Sequence, residues 1–157
     1  MSENGVKIGV KNRNKQAFKI FTADRNGILT KLGLALDIQR NYDENPGDLN
    51  VSVYKADGNN APTGNALYET TLTQVDAGGS VNAVNLNLSI PVTEGENYAV
   101  VMIPSISDRE DWDALYVWLY GYNDASGLSG VLNDRGIYEY SAIDEQYGMS
   151  VEIMPTE

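Results

Sequence analysis

Val84-Asn85-Leu86-Asn87-Leu88-Ser89-Ile90 decides the fold class. Every second residue is aliphatic, and those between are small and polar. That period puts successive side chains on opposite faces, so the segment reads as a β-strand with one dry face and one wet face. The pattern recurs to either side. Leu32, Leu34, Leu36 and Ile38 alternate with Gly33, Ala35 and Asp37, and Leu49, Val51 and Val53 with Asn50, Ser52 and Tyr54. Met149, Val151 and Ile153 do the same near the C-terminus, as do Val6, Ile8 and Val10 near the N-terminus. Tyr98 to Ile103 is instead a continuous apolar run, the pattern of a strand covered on both faces. Asn- and Gly-rich clusters such as Asp24-Arg25-Asn26-Gly27, Asp57-Gly58-Asn59-Asn60 and Thr93-Glu94-Gly95-Glu96 supply the turns. Many short strands punctuated this way predict an all-β fold, an antiparallel β-sandwich of jelly-roll-like type. No segment has a helical period; Ser107 to Ala114 is expected to form one short helical turn at most.

The chain has 157 residues, 42% of them apolar. That suits one domain over residues 1–157 with one core. No stretch approaches the roughly 18 apolar residues of a membrane span, so no membrane partner is expected. Met1-Ser2-Glu3-Asn4-Gly5 has no apolar run behind it, so no secretory signal is expected. There is no cysteine and no histidine. The first absence excludes disulfides and thiolate chemistry; the second removes the commonest general base and the commonest transition-metal ligand. A non-enzyme without a cofactor is the expectation.

The net charge is −11 and is unevenly distributed. Residues 1–31 hold seven cations and two acids, a net +5; the other residues hold four cations and twenty acids, a net −16. An acidic body repels phosphates, which argues against nucleic acid. The basic arm has two readings. Its lysines blunt a strand edge, or Lys7, Lys11, Arg13 and Lys15 dock on an acidic surface of a second copy or another protein.

Three framework pieces carry a family resemblance. They are Phe21-Thr22-Ala23 leading through a Gly turn into Ile28 to Leu36, then Leu49 to Gly58 with Pro62-Thr63-Gly64 and Leu67, then Ile90 to Val101. Together, over roughly Phe18 to Ile103 and more loosely beyond, they resemble the β-sandwich accessory domains of bacterial surface proteins, glycoside hydrolases and phage structural proteins, of the choice-of-anchor or carbohydrate-binding type. The resemblance implies a sandwich framework and an accessory role. It carries over no ligand residue.

Two local features bear on function. Leu115-Tyr116-Val117-Trp118-Leu119-Tyr120-Gly121-Tyr122 reads as a strand with Leu115, Val117 and Leu119 on one face and Tyr116, Trp118, Tyr120 and Tyr122 on the other. With the aliphatic face in the core, the rings look outward, where they suit a protein interface or stacking on sugars. With the faces reversed, they are core. Tyr138 and Tyr140 repeat the spacing. The second feature is Asp108, Glu110, Asp111 and Asp113 around Trp112. Such carboxylates are the ligands calcium takes, but the spacing is not that of an EF-hand, and a solvated acidic loop is the expected reading. A pair of them acting on a glycosidic bond is the remotest alternative. No phosphate-cradling glycine motif is present.

The expectation is therefore a non-catalytic structural module of a larger assembly, most simply a phage virion accessory protein that self-associates or docks on a capsid or tail protein. Tyr116, Trp118, Tyr120, Tyr122 and Trp112 are its candidate contact residues. The alternative is a polysaccharide-binding module cut from an extracellular or cell-surface protein.

Overall fold

The computed structural model describes residues 5–39, 45–73, 82–106, 108–121, 128–142 and 145–156. Eleven strands lie within them: β1 (Gly5–Lys7), β2 (Gln16–Thr22), β3 (Gly27–Gln39), β4 (Leu49–Ala56), β5 (Pro62–Leu72), β6 (Asn82–Val92), β7 (Asn97–Pro104), β8 (Leu115–Leu119), β9 (Leu128–Leu132), β10 (Tyr138–Tyr140) and β11 (Met149–Pro155). All pair antiparallel, in two sheets packed face to face. The antiparallel β-sandwich read from the alternation is the observed fold.

The thirteen-residue β3 is the spine of the five-stranded sheet. β6 runs along one side of it; β8 and then β11 follow one another along the other, and β1 adds outside β8. The six-stranded sheet has the order β10-β9-β2-β7-β4-β5. Leu29, Leu32, Leu34, Leu36 and Ile38 of β3 face Leu49, Val51 and Val53 of β4 and Tyr98, Val100 and Met102 of β7 in one buried cluster drawing on both sheets. Burying that much aliphatic and aromatic surface is what drives the layers together.

The six-stranded sheet is apolar on its other face as well. Phe18, Ile20, Ala99 and Val101 form a second buried cluster there, against Tyr54, Ala56, Leu128 and Tyr138. The run Tyr98–Met102 thus alternates between two cores, as its composition predicts, while Ile103 at its end is 37% exposed. Tyr138 and Tyr140 meet the Phe18 ring edge-on at 5.4 and 5.7 Å. Gly130 makes this possible. It sits opposite both Phe18 and Tyr140, and a Cβ there would lie 2.7 Å from the Phe18 ring. The Tyr140 hydroxyl donates to the Asn59 and Asn60 carbonyl oxygens (3.0 and 3.3 Å), drawing the β4–β5 loop over this face.

The basic arm is part of the sandwich. β1 is an edge strand on β8, and Val6 packs on the main core. Lys19, one of the arm's seven cations, is buried (1% exposed) on the inward face of β2 between Ala17 and Phe21, and its Nζ donates to the Tyr147 carbonyl oxygen at 2.9 Å. A buried ammonium needs such acceptors.

Candidate functional site

The aromatic stripe of β8 points inward, which corrects the expectation that Tyr116 and Trp118 form an outward platform. The cause is register. β8 pairs with β3 so that Trp118 lies opposite Leu36 and Tyr116 opposite Ile38, both on the core face of β3. Side chains directly opposite share a face, so the rings enter the core and Val117 and Leu119 take the outer face. Trp118 is fully buried, and Tyr116 is 1% exposed. Their polar tips are satisfied: Trp118 Nε1 donates to the Gly148 carbonyl oxygen (2.9 Å) and the Tyr116 hydroxyl to that of Gly47 (2.6 Å). Tyr120 is half-buried and stacks on Tyr147 at 6.2 Å, and its hydroxyl donates to Glu145 (3.2 Å). Tyr122 lies outside the described residues.

Trp112 behaves oppositely. It is 67% exposed, the most exposed large hydrophobic side chain among the described residues. It rides the β7–β8 connection at one end of the sandwich, and that connection is tied down on every side. The Arg109 N–H donates to the Gly9 carbonyl oxygen and the Lys11 N–H to that of Arg109 (3.0 and 2.7 Å). Gly9 has φ +91°, and a Cβ there would press on the Pro104 ring at 2.9 Å, so glycine is required at this crossing. The Ser105 N–H donates to the Asp48 carbonyl oxygen, and the Asp48 N–H returns a bond to Ser105 Oγ (both 2.9 Å). Around Trp112 itself, Gln39 Nε2 donates to the carbonyl oxygens of Asp111 and Asp113 (2.8 and 2.9 Å). Lys7 Nζ and Arg13 Nη1 both reach Asp111 Oδ1, at 3.1 and 2.9 Å. The backbone on either side of the indole is held while the ring stays in water.

The carboxylates of this loop have separate duties. Asp111 answers the two cations, and its carboxyl is held below the ordinary carboxylate value by the Lys7 hydrogen bond first and by Arg13 as well. Asp113 Oδ2 accepts the Glu110 N–H at 2.8 Å and closes a turn with the Asp113 N–H on the Glu110 carbonyl oxygen. Asp108 is exposed in a left-handed conformation (φ 57°). Among the described residues no three or more carboxylates converge as a cation would require; of the calcium candidates Asp108, Glu110, Asp111 and Asp113, Asp111 and Asp113 brace the loop. The depressed Asp111 carboxyl is also the reverse of the raised value a glycosidic general acid needs. The expected docking arm is likewise engaged within the molecule: Lys7 and Arg13 clasp Asp111, and the Asn12 N–H donates to Asp134 Oδ2. Lys11 and Lys15 remain exposed beside them.

At the opposite end lies a shallow cleft of about 260 Å³, lined by Lys55, Ala56, Asp57, Gly58, Glu96 and Asn97. Strand β7 runs from this cleft to the Trp112 loop, which fixes the two at opposite ends. Lys55 pairs with Glu96 at 3.3 Å, and Glu96 also accepts the Tyr98 hydroxyl at 3.2 Å. The sequence shows Asp57–Asn60 and Thr93–Glu96 as two separate turns. Only the antiparallel pairing of β4 with β7, Lys55 opposite Tyr98, brings them together.

Comparison with known proteins leaves the fold and these two ends as the basis for a function: no family model matches the chain, and no curated protein matches it.

Proposed function

We propose that the chain is a non-catalytic interaction module of a larger assembly and that it engages a protein partner with the Trp112 end of the sandwich. One observation carries the reading: an indole two-thirds in water on a loop whose flanking backbone is fully braced. Exposing an indole forgoes the burial that favours folding. A rigid aromatic anchor loses little conformational freedom on docking, and tryptophan is the residue most enriched among binding hot spots. Support also comes from the chain having neither histidine nor cysteine and from the pairing of the loop's Asp111 carboxylate with Lys7 and Arg13. The phage-particle setting implied by the resemblance is one such assembly. A glycan platform on β8 has no such support, because its rings are inside.

Oxidative footprinting of the two tryptophans in the chain's native assembly tests the proposal. Trp112 is expected to be modified readily in the free protein and protected at least tenfold in the assembly, and Trp112→Ala is expected to cut incorporation while the melting temperature holds. Equal reactivity of Trp112 in the free and assembled states overturns it.

A further inference from the structure

One flank of the sandwich is almost free of charge. Strands β5 and β6 meet there, each outermost in its own sheet and each paired with one neighbour only among the described residues. Between them they carry a single charged side chain, Glu69, in a chain of which 21% is charged. Interface centres are depleted of charge in the same way. An outermost strand also offers unpaired N–H and C=O groups to another strand, and folds blunt such edges with short strands, charges, prolines or bulges. The other outermost strands here are blunted. β1 and β10 are three residues long and carry Lys7 and Glu139. β11 shifts register between Glu152 and Ile153 and ends in Pro155. β6 shifts register opposite Leu29–Lys31 and carries Pro91. In β5 the irregularity and Pro62 come before Tyr68. Tyr68-Glu69-Thr70-Thr71-Leu72 then pairs with β4 without a break, holds no lysine or proline, and is rich in residues that favour strands.

We infer that Tyr68–Leu72 pairs antiparallel with the same stretch of a second copy, about a two-fold axis at Thr70. The register supplies the reason for a second copy. Opposed residues share a face, so a two-fold pairing must centre on one residue. Centred on Thr70, Thr70 meets Thr70, Glu69 meets Thr71, Tyr68 meets Leu72, and the whole unbroken stretch is used. No charge then faces a like charge, and threonine opposite threonine is a favourable cross-strand pair. Centring on Glu69 would oppose two carboxylates. Centring on Thr71 would leave only Thr70–Leu72 of the strand to pair, and centring on Tyr68 would run into the irregular stretch before it. Tyr68 and Thr70 lie opposite Val53 and Val51 on the core-facing side and are only half-buried, so a second strand would complete their cover. The nearest charges of β4 and its approach, Asp48 and Lys55, fall beyond the two ends of the stretch. A two-fold contact is isologous and closes as a dimer. The net charge of −11 on each copy opposes it at long range, and salt screens that repulsion. The inference makes no use of Trp112 and goes beyond the reading of that end.

Sedimentation equilibrium of the purified full-length chain, joined to cysteine cross-linking, tests this. The chain has no cysteine, so each introduced thiol is the only one present. The wild-type mass is expected to rise with concentration to a dimer, to stop there, and to rise more readily in added salt. Thr70→Lys sets two ammonium groups opposite each other and is expected to weaken the dimer at least tenfold. Opposed residues of an antiparallel pair have Cα atoms about 4.5–5.5 Å apart, within the reach of a disulfide. Thr70→Cys is therefore expected to form a disulfide dimer on mild oxidation. Glu69→Cys and Thr71→Cys are each expected to stay uncross-linked alone and to cross-link when mixed. A wild type still monomeric at about 1 mM, the Kd of a contact worth only about 4 kcal/mol, overturns the pairing. A mass that grows past the dimer overturns the two-fold axis. A dimer that Thr70→Lys leaves intact, or that Thr70→Cys does not cross-link, overturns β5 as the seat.

Discussion

Trp112 and Trp118 are six positions apart in one sequence, and one is the most exposed large hydrophobic side chain among the described residues while the other is fully buried. Neither fate follows from the residue type. Trp118 is inside because β8 hydrogen-bonds to β3 in a register that places it opposite Leu36, and because the Gly148 carbonyl oxygen accepts its N–H. Trp112 is outside because Lys7, Arg13 and Gln39 take the polar groups of Asp111 and Asp113 on either side of it and hold that backbone at the rim. Pairing decides the first and side-chain clasping the second. Breaking each in turn tests the contrast.

The largest effect is expected at Trp118. Trp118→Ala removes a buried ring that packs against Tyr147 at 4.9 Å and orphans the Gly148 carbonyl oxygen. A loss of about 3–5 kcal/mol is expected. Trp112→Ala is expected to change stability by no more than about 0.5 kcal/mol, as for an exposed position. Chemical denaturation of both variants checks the pair, and similar losses from the two would collapse the contrast.

The inner region is next distinguished by alkali. Burial pushes the Tyr147 hydroxyl up to about 12 from its ordinary 10.0, Glu145 adding to the rise and the Ser141 contact opposing it. The folded state therefore keeps a proton that the unfolded chain gives up. Stability from this source is complete below pH 10 and is lost as the pH rises toward 12. A shift of that size is worth about 3 kcal/mol. Denaturation midpoints between pH 9 and 12 are expected to fall for the wild type and to fall less for Tyr147→Phe. Parallel curves would remove Tyr147 as the cause.

Much of this was legible in the sequence and some was not, for one physical reason. Alternation reports which residues share a face, so the strands and the doubly covered run Tyr98–Met102 could be read directly, although Ile103, which continues the apolar run, is exposed. It does not say which of two apolar faces turns inward. In β8 one face is Leu115, Val117 and Leu119 and the other Tyr116, Trp118 and Tyr120, so the choice fell to the register with β3, a partner about 80 residues away. Lys19 was readable by the same alternation, between Ala17 and Phe21, but a count of charges along residues 1–31 treats it as solvated. The Trp112 clasp joins positions about 100 apart, and the cleft joins two turns that look unrelated along the chain.

The smallest expected effect on stability falls on the outer region, and there it is informative. Asp111 is largely solvated, so exposed pairing with Lys7 and Arg13 contributes little to global stability. Asp111→Asn is expected to leave the denaturation midpoint within error and to change the Trp112 loop alone. Because the folded Asp111 carboxyl lies below its ordinary 3.8, the clasp is complete above that value and is lost as the pH falls through the lower folded value. Red-edge indole fluorescence, which reports Trp112 and not the buried Trp118, is expected to become more accessible to an ionic quencher below pH 4 in the wild type and at every pH in Asp111→Asn. If the variant matched the wild type at neutral pH, Gln39 and the Gly9–Arg109 crossing would suffice to hold the loop without the Asp111 carboxylate.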